Sequence, residues 1–362
     1  MGMAEGAPFK STQWITPLLI GTIASGAVVW FGAHHEVTDP TSGATATSWE
    51  LLQQFQWTRR STLALLGVIA CVLIRDLGYI IRLRVLSFQS FSWRQATENI
   101  LLWELSSALT PSVVGGSAVA VVILKRDGMR WGKSLATVFA TALMDEAFYL
   151  FAVPIVFVLA TVGGQSIFPE GLESVAWVSL FGVAYAFIAT LTTIILLGLV
   201  IRPQGTYSVI QWARTTWLFR RWSSRMDAWS SDLLEASRNI RSASWRYWMQ
   251  GFAATCSSWT ARFATLNMVL LIFYPSLDHV AVMARQLILW LVLSISPTPG
   301  STGAAELGLP AFLHDLTGLA YIAAVVLIWR TFTYFIYLVA GAFVLPGWLV
   351  RTQRKGRTFG TQ

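Results

Sequence analysis

The chain has 362 residues, of which 55% are hydrophobic and only 12% are charged. Apolar runs long enough to cross a bilayer recur throughout, so the composition predicts a polytopic all-α membrane protein and leaves no length for a separate soluble domain. The net charge of +8 does not indicate nucleic acid binding, because the basic residues cluster between apolar segments, as membrane orientation requires.

Six apolar segments are long enough to be continuous spans. They cover about residues 14–33, 61–83, 133–162, 175–200, 247–273 and 317–345. The first of them is predicted to be a retained span rather than a cleaved signal peptide, because its apolar core is long and no small-residue cleavage site follows. The whole chain, 1–362, is therefore expected to form a single transmembrane domain.

Residues 99–124 form an interrupted apolar segment. Pro111 and the pair Gly115 and Gly116 divide it into two arms. Neither arm reaches the roughly 20 residues that a perpendicular span needs. The segment is therefore predicted to be a re-entrant helical hairpin.

Residues 202–246 are rich in arginine and tryptophan. An apolar stripe repeats within them at three and four residues: Met226, Trp229, Leu233, Ala236 and Ile240. This spacing predicts one amphipathic helix on the cytoplasmic side. Two interpretations fit it: a helix lying in the membrane interface, or a helix packed on the rest of the protein.

A second interrupted segment, residues 293–313, holds Pro299, Gly300, Gly303 and the carboxylate Glu306. Backbone at membrane depth must satisfy its own hydrogen bonds, so such breaks occur only where they are buried in protein or line a polar cavity. The break is predicted to be a substrate or gating site in a second re-entrant hairpin. The alternative is a kinked packing helix whose glutamate is merely paired.

The two interrupted segments share a pattern at a constant offset. Pro111 to Gly115 reads PSVVG and Pro299 to Gly303 reads PGSTG, 188 residues later. Around them, units of about 61–162 and 247–345 thread the membrane in opposite directions, which predicts an inverted-topology repeat of the kind many transporters use. The same threading places 20 of the 26 lysines and arginines on one side. Both termini are therefore predicted to be cytoplasmic.

Charged side chains inside the predicted spans are expected to face the protein interior and to pair. They are Arg75, Asp76, Glu104, Asp145, Glu146, Arg262, Arg285, Glu306 and Arg330. Arg262 and Arg330 have no acidic neighbour in their own spans, so their partners are sought among Asp145, Glu146 and Glu306. The two arginines either bind an anionic headgroup phosphate, which suits the guanidinium fork, or join helices.

No catalytic chemistry is predicted. Asp145 and Glu146 are adjacent and so point to different helix faces, which makes them a poor acid–base pair. The four histidines, His34, His35, His279 and His314, have no metal-ligand spacing, and the two cysteines lie inside apolar segments. The chain is thus expected to be no enzyme and to need no metal or cofactor.

Two stretches resemble a known family. PTPGSTGAAE, Pro297 to Glu306, is similar to the PxPGGxGxxE signature of the lysylphosphatidylglycerol synthase/flippase transmembrane family. LTPSVVGG followed by VVILKRDGM, Leu109 to Met129, resembles its earlier Pro-Gly-Gly segment, and Arg330 falls where the family has an arginine. The departures are Ser301 in place of the second glycine, and MDE in the third span.

The resemblance implies the membrane domain of the bacterial multiple peptide resistance factors, which moves aminoacylated phosphatidylglycerol between leaflets. The soluble aminoacyl-transfer domain of those proteins is not expected here. The predicted function is therefore a flippase-like transporter of a phospholipid or lipid-linked headgroup in the bacterial inner membrane. Its partner would be an anionic or aminoacylated lipid, and homo-oligomerisation stays open. The predicted substrate-binding residues are Pro111, Gly115, Gly116, Arg262, Pro299, Gly300, Gly303, Glu306 and Arg330, with Arg75, Asp76, Glu104, Asp145 and Glu146 forming a buried charge network.

Two other functions fit the same sequence. One is a secondary transporter of a small water-soluble anion, and the other is a noncatalytic membrane partner of a lipid-modifying enzyme. A groove open sideways to lipid would favour lipid movement, and a sealed central cavity would favour the soluble anion. Absence of any cavity at the hairpins would favour the partner role.

Overall fold

The computed structural model describes residues 45–110, 112–164, 167–169, 175–215, 223–294, 298–318 and 320–359, with a few further positions between 23 and 38. Most of the predicted span 14–33 lies outside these residues, and so does Pro111. A short antiparallel ribbon joins Glu36–Thr38 (β1) to Thr45–Thr47 (β2). Elsewhere the described chain is helical, with turns and short loops between its helices.

The helices of the first half are Ser48–Gln53 (α1), Arg59–Leu86 (α2), Trp93–Leu109 (α3), Ser112–Arg126 (α4), Trp131–Val162 (α5) and Val175–Ile195 (α6), which continues as a π-helical turn to Ile201. Those of the second half are Pro203–Thr215 (α7), Ser223–Arg241 (α8), Trp245–Phe273 (α9), His279–Ser294 (α10), Ala304–Thr317 (α11), Ile322–Arg330 (α12) and Ile336–Phe359 (α13), with a π-helical turn Thr331–Phe335 between the last two. In the described residues, the stretches 59–86, 131–162, 181–201, 245–273 and 322–353 are long and apolar enough to cross a membrane. The predicted all-α polytopic class is confirmed.

Helices α2 and α9 pack against each other, antiparallel, along their whole length. The Ser61 hydroxyl near the start of α2 donates to the Ile272 carbonyl oxygen near the end of α9, over 3.1 Å. At the opposite end the Tyr247 hydroxyl donates to the Leu86 carbonyl oxygen, over 3.3 Å. Between them the helices touch at Gly78, where an added Cβ would lie 2.9 Å from the carbonyl oxygen of Ala254. This pair forms the centre of the bundle.

Helices α3 and α4 form the first of two short-helix pairs. Asn99 in the first half of α3 donates to Asp127 just after α4, over 3.2 Å, and Ser106 donates to the Gly116 carbonyl oxygen nearer the break, over 3.5 Å. The two helices are therefore antiparallel. With 17 and 15 residues they are about 22–26 Å long, shorter than the roughly 30 Å hydrocarbon core of a bilayer.

Helices α10 and α11 form the second pair. Arg285 of α10 pairs with Asp315 near the end of α11, and the Ser301 hydroxyl in the connecting turn donates to the Leu293 carbonyl oxygen, over 3.0 Å. These helices have 16 and 14 residues, again too short for a perpendicular span. The lengths and the breaks are those that the sequence predicts for two helical hairpins.

The two halves of the chain make matching contacts. Helix α13 packs on α3 of the first hairpin, and α5 packs on α10 of the second, so each hairpin is covered by the last span of the other half. Asp127 and Asp315 are 188 residues apart, and each binds the first arm of its own hairpin from the end of the second arm. Two units related by an inverted repeat would make contacts of this kind.

The amphipathic segment forms α8, which packs on the protein. Leu233, Ala236 and Ile240 of the predicted stripe are buried against α5 and its neighbours. At Gly132 the two backbones come so close that a Cβ would lie 2.2 Å from the Leu233 nitrogen. The side chains of Met226 and Trp229 lie outside the described residues.

Candidate functional site

The tips of the two hairpins meet inside the bundle. An added Cβ at Gly300 would lie 3.1 Å from the carbonyl oxygen of Ala108, near the end of α3. The same carbonyl oxygen accepts a hydrogen bond from the Tyr334 hydroxyl, over 3.3 Å. Gly300, Ser301 and Gly303 all have positive φ angles, of 56°, 53° and 83°. Because glycine adopts such angles freely, Gly300 and Gly303 let the turn of the second hairpin fold tightly against the first, whereas Ser301 takes a backbone conformation that is uncommon for a residue with a side chain.

Gly115 and Gly116 serve the packing of the first hairpin. A Cβ at Gly115 would lie 2.8 Å from the Thr110 side chain, and one at Gly116 would lie 2.2 Å from the Ser107 hydroxyl. Both glycines therefore let the arms of the hairpin approach each other closely. This packing accounts for both glycines without a substrate, although the sequence analysis had included them among the substrate-binding residues.

Arg330 ties the last span to the turn of the second hairpin. Its Nε lies 2.7 Å from an oxygen of Glu306, and its Nη2 donates to the Thr302 hydroxyl over 3.2 Å. Glu306 is fully buried and also accepts from the backbone nitrogen of Gly303, over 2.7 Å. The guanidinium stacks over the Tyr334 ring at 4.2 Å. All of these contacts hold the break in one conformation.

Arg75 ties the centre of α2 to the first hairpin. It is 1% exposed and lies 2.6 Å from Glu104 of α3 and 3.5 Å from Asp76. Asp76 in turn accepts a hydrogen bond from the Tyr337 hydroxyl over 2.8 Å, and the Tyr337 ring lies under the Arg75 guanidinium at 4.4 Å. The predicted charges Arg75, Asp76 and Glu104 thus form one network that reaches α13.

A third ion pair joins α2 to α5. Arg82 lies inside α2, near the end of the predicted span 61–83, and pairs with Asp145. The Trp259 indole nitrogen donates to the same carboxylate, over 2.6 Å. Asp145 is thereby engaged from two helices. Its neighbour Glu146 has a buried oxygen, Oε2, with no hydrogen-bond partner in the described part of the chain.

Arg262 differs from the three arginines above. Among the described residues it makes no ion pair within 4 Å with Asp145, Glu146 or Glu306, although its charge acts on Glu104 and Asp76 of other helices. Its Nη1 donates to the Tyr79 hydroxyl over 3.2 Å, and its guanidinium lies over the rings of Trp290 at 4.2 Å and Trp259 at 5.1 Å. The side chain is half-buried in the middle of α9. It offers a positively charged fork, held by aromatic rings, near the three paired arginines.

Arg75, Arg82, Arg262 and Arg330 and the side chains that they contact form one polar cluster. Sequence reasoning missed the aromatic residues of this cluster. Tyr79 follows Arg75 by four residues and Trp259 precedes Arg262 by three, so each lies on the same helix face as its arginine. That spacing could have identified both. Tyr337 and Trp290 come from other helices, and no local pattern points to them.

A groove lies between α2 and α9. It encloses about 480 Å³, and its floor includes Gly78, which precedes Tyr79. Its walls include Ile74 and Leu77, whose side chains are 48% and 51% exposed. Arg84 lies at the end where the chain leaves α2. The groove therefore opens toward the surroundings of the bundle.

The family model that describes the lysylphosphatidylglycerol synthase TM region matches residues 15–341, which cover both hairpins and the polar cluster. The chain belongs to this family. The family is one of membrane domains linked with lipid modification. The chain is similar to a UPF0104 membrane protein of Archaeoglobus fulgidus. The two sequences are 22% identical over 319 residues, which cover 84% of this chain and 91% of that protein.

Membership of the family agrees with the resemblance that the PTPGSTGAAE stretch carries. It supports a multi-pass membrane protein in a lipid environment.

Of the residues predicted for substrate, Gly300, Gly303, Glu306 and Arg330 come together at the second break. Pro299 lies in the same turn, where its carbonyl oxygen accepts from the Thr302 hydroxyl over 2.8 Å. Arg262 lies apart from this turn, in the middle of α9.

Proposed function

We propose that this protein moves a lipid with an anionic headgroup between the leaflets of a membrane, and that the headgroup phosphate binds at Arg262. The observation that carries the proposal is the difference between Arg262 and its neighbours. Arg75, Arg82 and Arg330 each form an ion pair with a carboxylate, whereas Arg262 forms none in the described part of the chain and is held by a phenol and two indole rings. A guanidinium at membrane depth whose nitrogens are not held by a carboxylate oxygen can bind a phosphate ligand in a bidentate manner.

The position of Arg262 supports a role in crossing the membrane. It lies near the middle of a 29-residue helix, and the hairpin tips meet within the same bundle. In the proposed arrangement the two hairpins enter from opposite faces as an inverted repeat of about 61–162 and 247–345. Such repeats place their broken helices and binding sites near the midplane and interconvert between two access states.

The groove between α2 and α9 favours a lipid over a soluble anion. Acyl chains must remain in the bilayer while the headgroup crosses, so a lipid substrate needs an opening toward the membrane. Exposed Ile74 and Leu77 line such an opening, and the residue before Tyr79, Gly78, also lines it. We place both termini on the cytoplasmic side of a bacterial inner membrane, because the lysines and arginines flank the spans on that side.

Reconstituted vesicles distinguish the candidate functions. The purified protein is placed in vesicles with fluorescent phosphatidylglycerol, lysyl-phosphatidylglycerol or phosphatidylethanolamine in the inner leaflet, and appearance in the outer leaflet is followed with a membrane-impermeant quencher. Uptake of radiolabelled inorganic phosphate is measured in parallel. Faster lipid movement than in empty vesicles, without phosphate uptake, supports the proposal. Phosphate uptake without lipid movement would make the protein a small-anion carrier, and neither activity would favour a noncatalytic partner of a lipid-modifying enzyme.

A further inference from the structure

Glu146 lies at the middle of α5, halfway between Trp131 and Val162. Its Oε2 is buried and has no hydrogen-bond partner among the described residues. The preceding carboxylate, Asp145, is already engaged by Arg82 and by the Trp259 indole. Glu146 is therefore a membrane-depth carboxyl group beside a charge network to which it does not belong.

The ionisable groups near Glu146 come from three helices. On α5 itself they are Asp145 and Tyr149, whose buried hydroxyl also lacks a hydrogen-bond partner in the described chain. From α2, Arg82 pairs with Asp145, and from α2 and α9 the Tyr79 phenol and the Arg262 guanidinium interact electrostatically with Tyr149. The Tyr149 phenol, one turn after Glu146, interacts electrostatically with both Glu146 and Arg262 and so lies within reach of both groups.

The other helices packed on α5 present groups that are already bound elsewhere. The Tyr185 hydroxyl of α6 donates to the Leu150 carbonyl oxygen over 3.1 Å, and Arg285 of α10 pairs with Asp315. Asp232 and Glu235 of α8 both bind Arg130 at the end of α5. Lys125 of α4 lies over the Trp131 ring at that same end. None of these described groups supplies Glu146 with a counter-ion.

Charge balance in the cluster connects Glu146 to the headgroup. Four arginines, Arg75, Arg82, Arg262 and Arg330, face four carboxylates other than Glu146: Asp76, Glu104, Asp145 and Glu306. With Glu146 protonated the cluster is neutral and can accept an anion at Arg262. When Glu146 loses its proton, the cluster gains a negative charge that repels the anion.

We infer that Glu146 is a proton-binding site and that one proton moves with each anionic lipid. The inference rests on the proposed function. The proton passes from water on one side of the membrane to Oε2 of Glu146, and the headgroup binds at Arg262. The protein then changes to its other access state, and both the proton and the headgroup leave on the other side. Proton binding and headgroup binding favour each other, and the coupling between two ligands is reciprocal. Glu146→Gln would fix the neutral form and so separate lipid movement from the proton.

The first test is lipid distribution in vesicles with a pH gradient and the membrane potential clamped at zero. With one proton per lipid, the steady-state leaflet ratio of phosphatidylglycerol should change by about tenfold per pH unit, with lipid accumulating on the alkaline side. Glu146→Gln should still move lipid but reach equal leaflets. Glu235→Gln, the same change in an exposed carboxylate of α8, should keep the gradient response.

The second test does not depend on transport. Infrared difference spectra of the purified protein between acidic and alkaline pH should show the carbonyl band of a protonated carboxylic acid, which Glu146→Gln removes and Glu235→Gln retains. Loss of the gradient response together with this band supports the inference. A Glu146→Gln protein that still follows the pH gradient, or that retains the band, overturns it. If wild-type vesicles move lipid but the leaflet ratio does not depend on pH, the coupling is overturned and the proposed function remains. If they move no lipid, both the proposed function and the coupling are rejected.

Discussion

Glu306 and Arg330 form an ion pair of 2.7 Å in which the carboxylate is completely shielded from solvent. Breaking a buried pair leaves an uncompensated charge, so we expect Glu306→Gln to lower the free energy of unfolding by about 3–5 kcal/mol. Unfolding in detergent micelles measures this loss. The matched control is Glu235→Gln, which breaks the exposed pair with Arg130 and should cost under about 1 kcal/mol. Equal losses in the two variants would show that the buried pair does not stabilise the turn.

The glycines of the first hairpin make a second prediction. An alanine Cβ at position 116 would lie 2.2 Å from the Ser107 hydroxyl and 2.9 Å from the Ser107 Cα, so the arms of the hairpin would have to separate. We expect Gly116→Ala to destabilise the protein by about 1–3 kcal/mol. Gly347→Ala is the control, because no atom lies within 4 Å of its added Cβ. If thermal unfolding midpoints in detergent fall equally for both variants, the close packing of α3 and α4 is not the reason for the glycine.

The proposed re-entrant hairpins fix the side of the membrane on which their ends lie. Single cysteines at Ser92 and Arg126 flank the first hairpin, and those at Ser276 and His314 flank the second, in a background without Cys71 and Cys256. We expect a membrane-impermeant maleimide added to intact cells to label the second pair, and to label the first pair only after permeabilisation. Ends of one hairpin on opposite sides would mean that it spans the membrane, and all four sites on one side would exclude the inverted repeat.

The break of the second hairpin was predictable because its signal is local. Pro299, Gly300 and Gly303 interrupt an apolar segment, and helix-breaking residues at membrane depth leave few alternatives. The Glu306–Arg330 pair was predictable in part, since buried charges must find partners and few carboxylates were available. The bounds of the long helices followed from hydropathy to within a few residues, except that α13 runs on to Phe359, beyond the predicted end of the last span near Leu345.

The cluster around Arg262 was not predictable to the same degree. Arg262 is surrounded by aromatic residues of three helices. A hydropathy pattern does not show that tryptophan and tyrosine side chains can be partners of a guanidinium. Arg82 was not among the predicted buried charges because it stands near the end of an apolar run, whereas α2 continues to Leu86 and buries it. Asp315 was overlooked for the same reason, since it falls at the predicted boundary between hairpin and span. Tertiary contacts, rather than local patterns, decide these positions.

The central claim is that Arg262 binds the phosphate of a lipid as it crosses the membrane. Hydrogen bonds to charged groups contribute about 1.5–3 kcal/mol, so Arg262→Gln should slow the movement of phosphatidylglycerol in vesicles by about tenfold or more. Arg262→Lys keeps the charge but loses the bidentate fork, and it should fall between wild type and Arg262→Gln. Arg130→Gln, a change in an exposed arginine, is the control and should move lipid at the wild-type rate.

The most direct measurement is therefore the initial rate of phosphatidylglycerol movement in vesicles that contain equal amounts of folded wild-type, Arg262→Gln, Arg262→Lys and Arg130→Gln protein. The account predicts rates that decrease from wild type and Arg130→Gln, through Arg262→Lys, to Arg262→Gln. A folded Arg262→Gln protein that moves the lipid as fast as the wild type would contradict it.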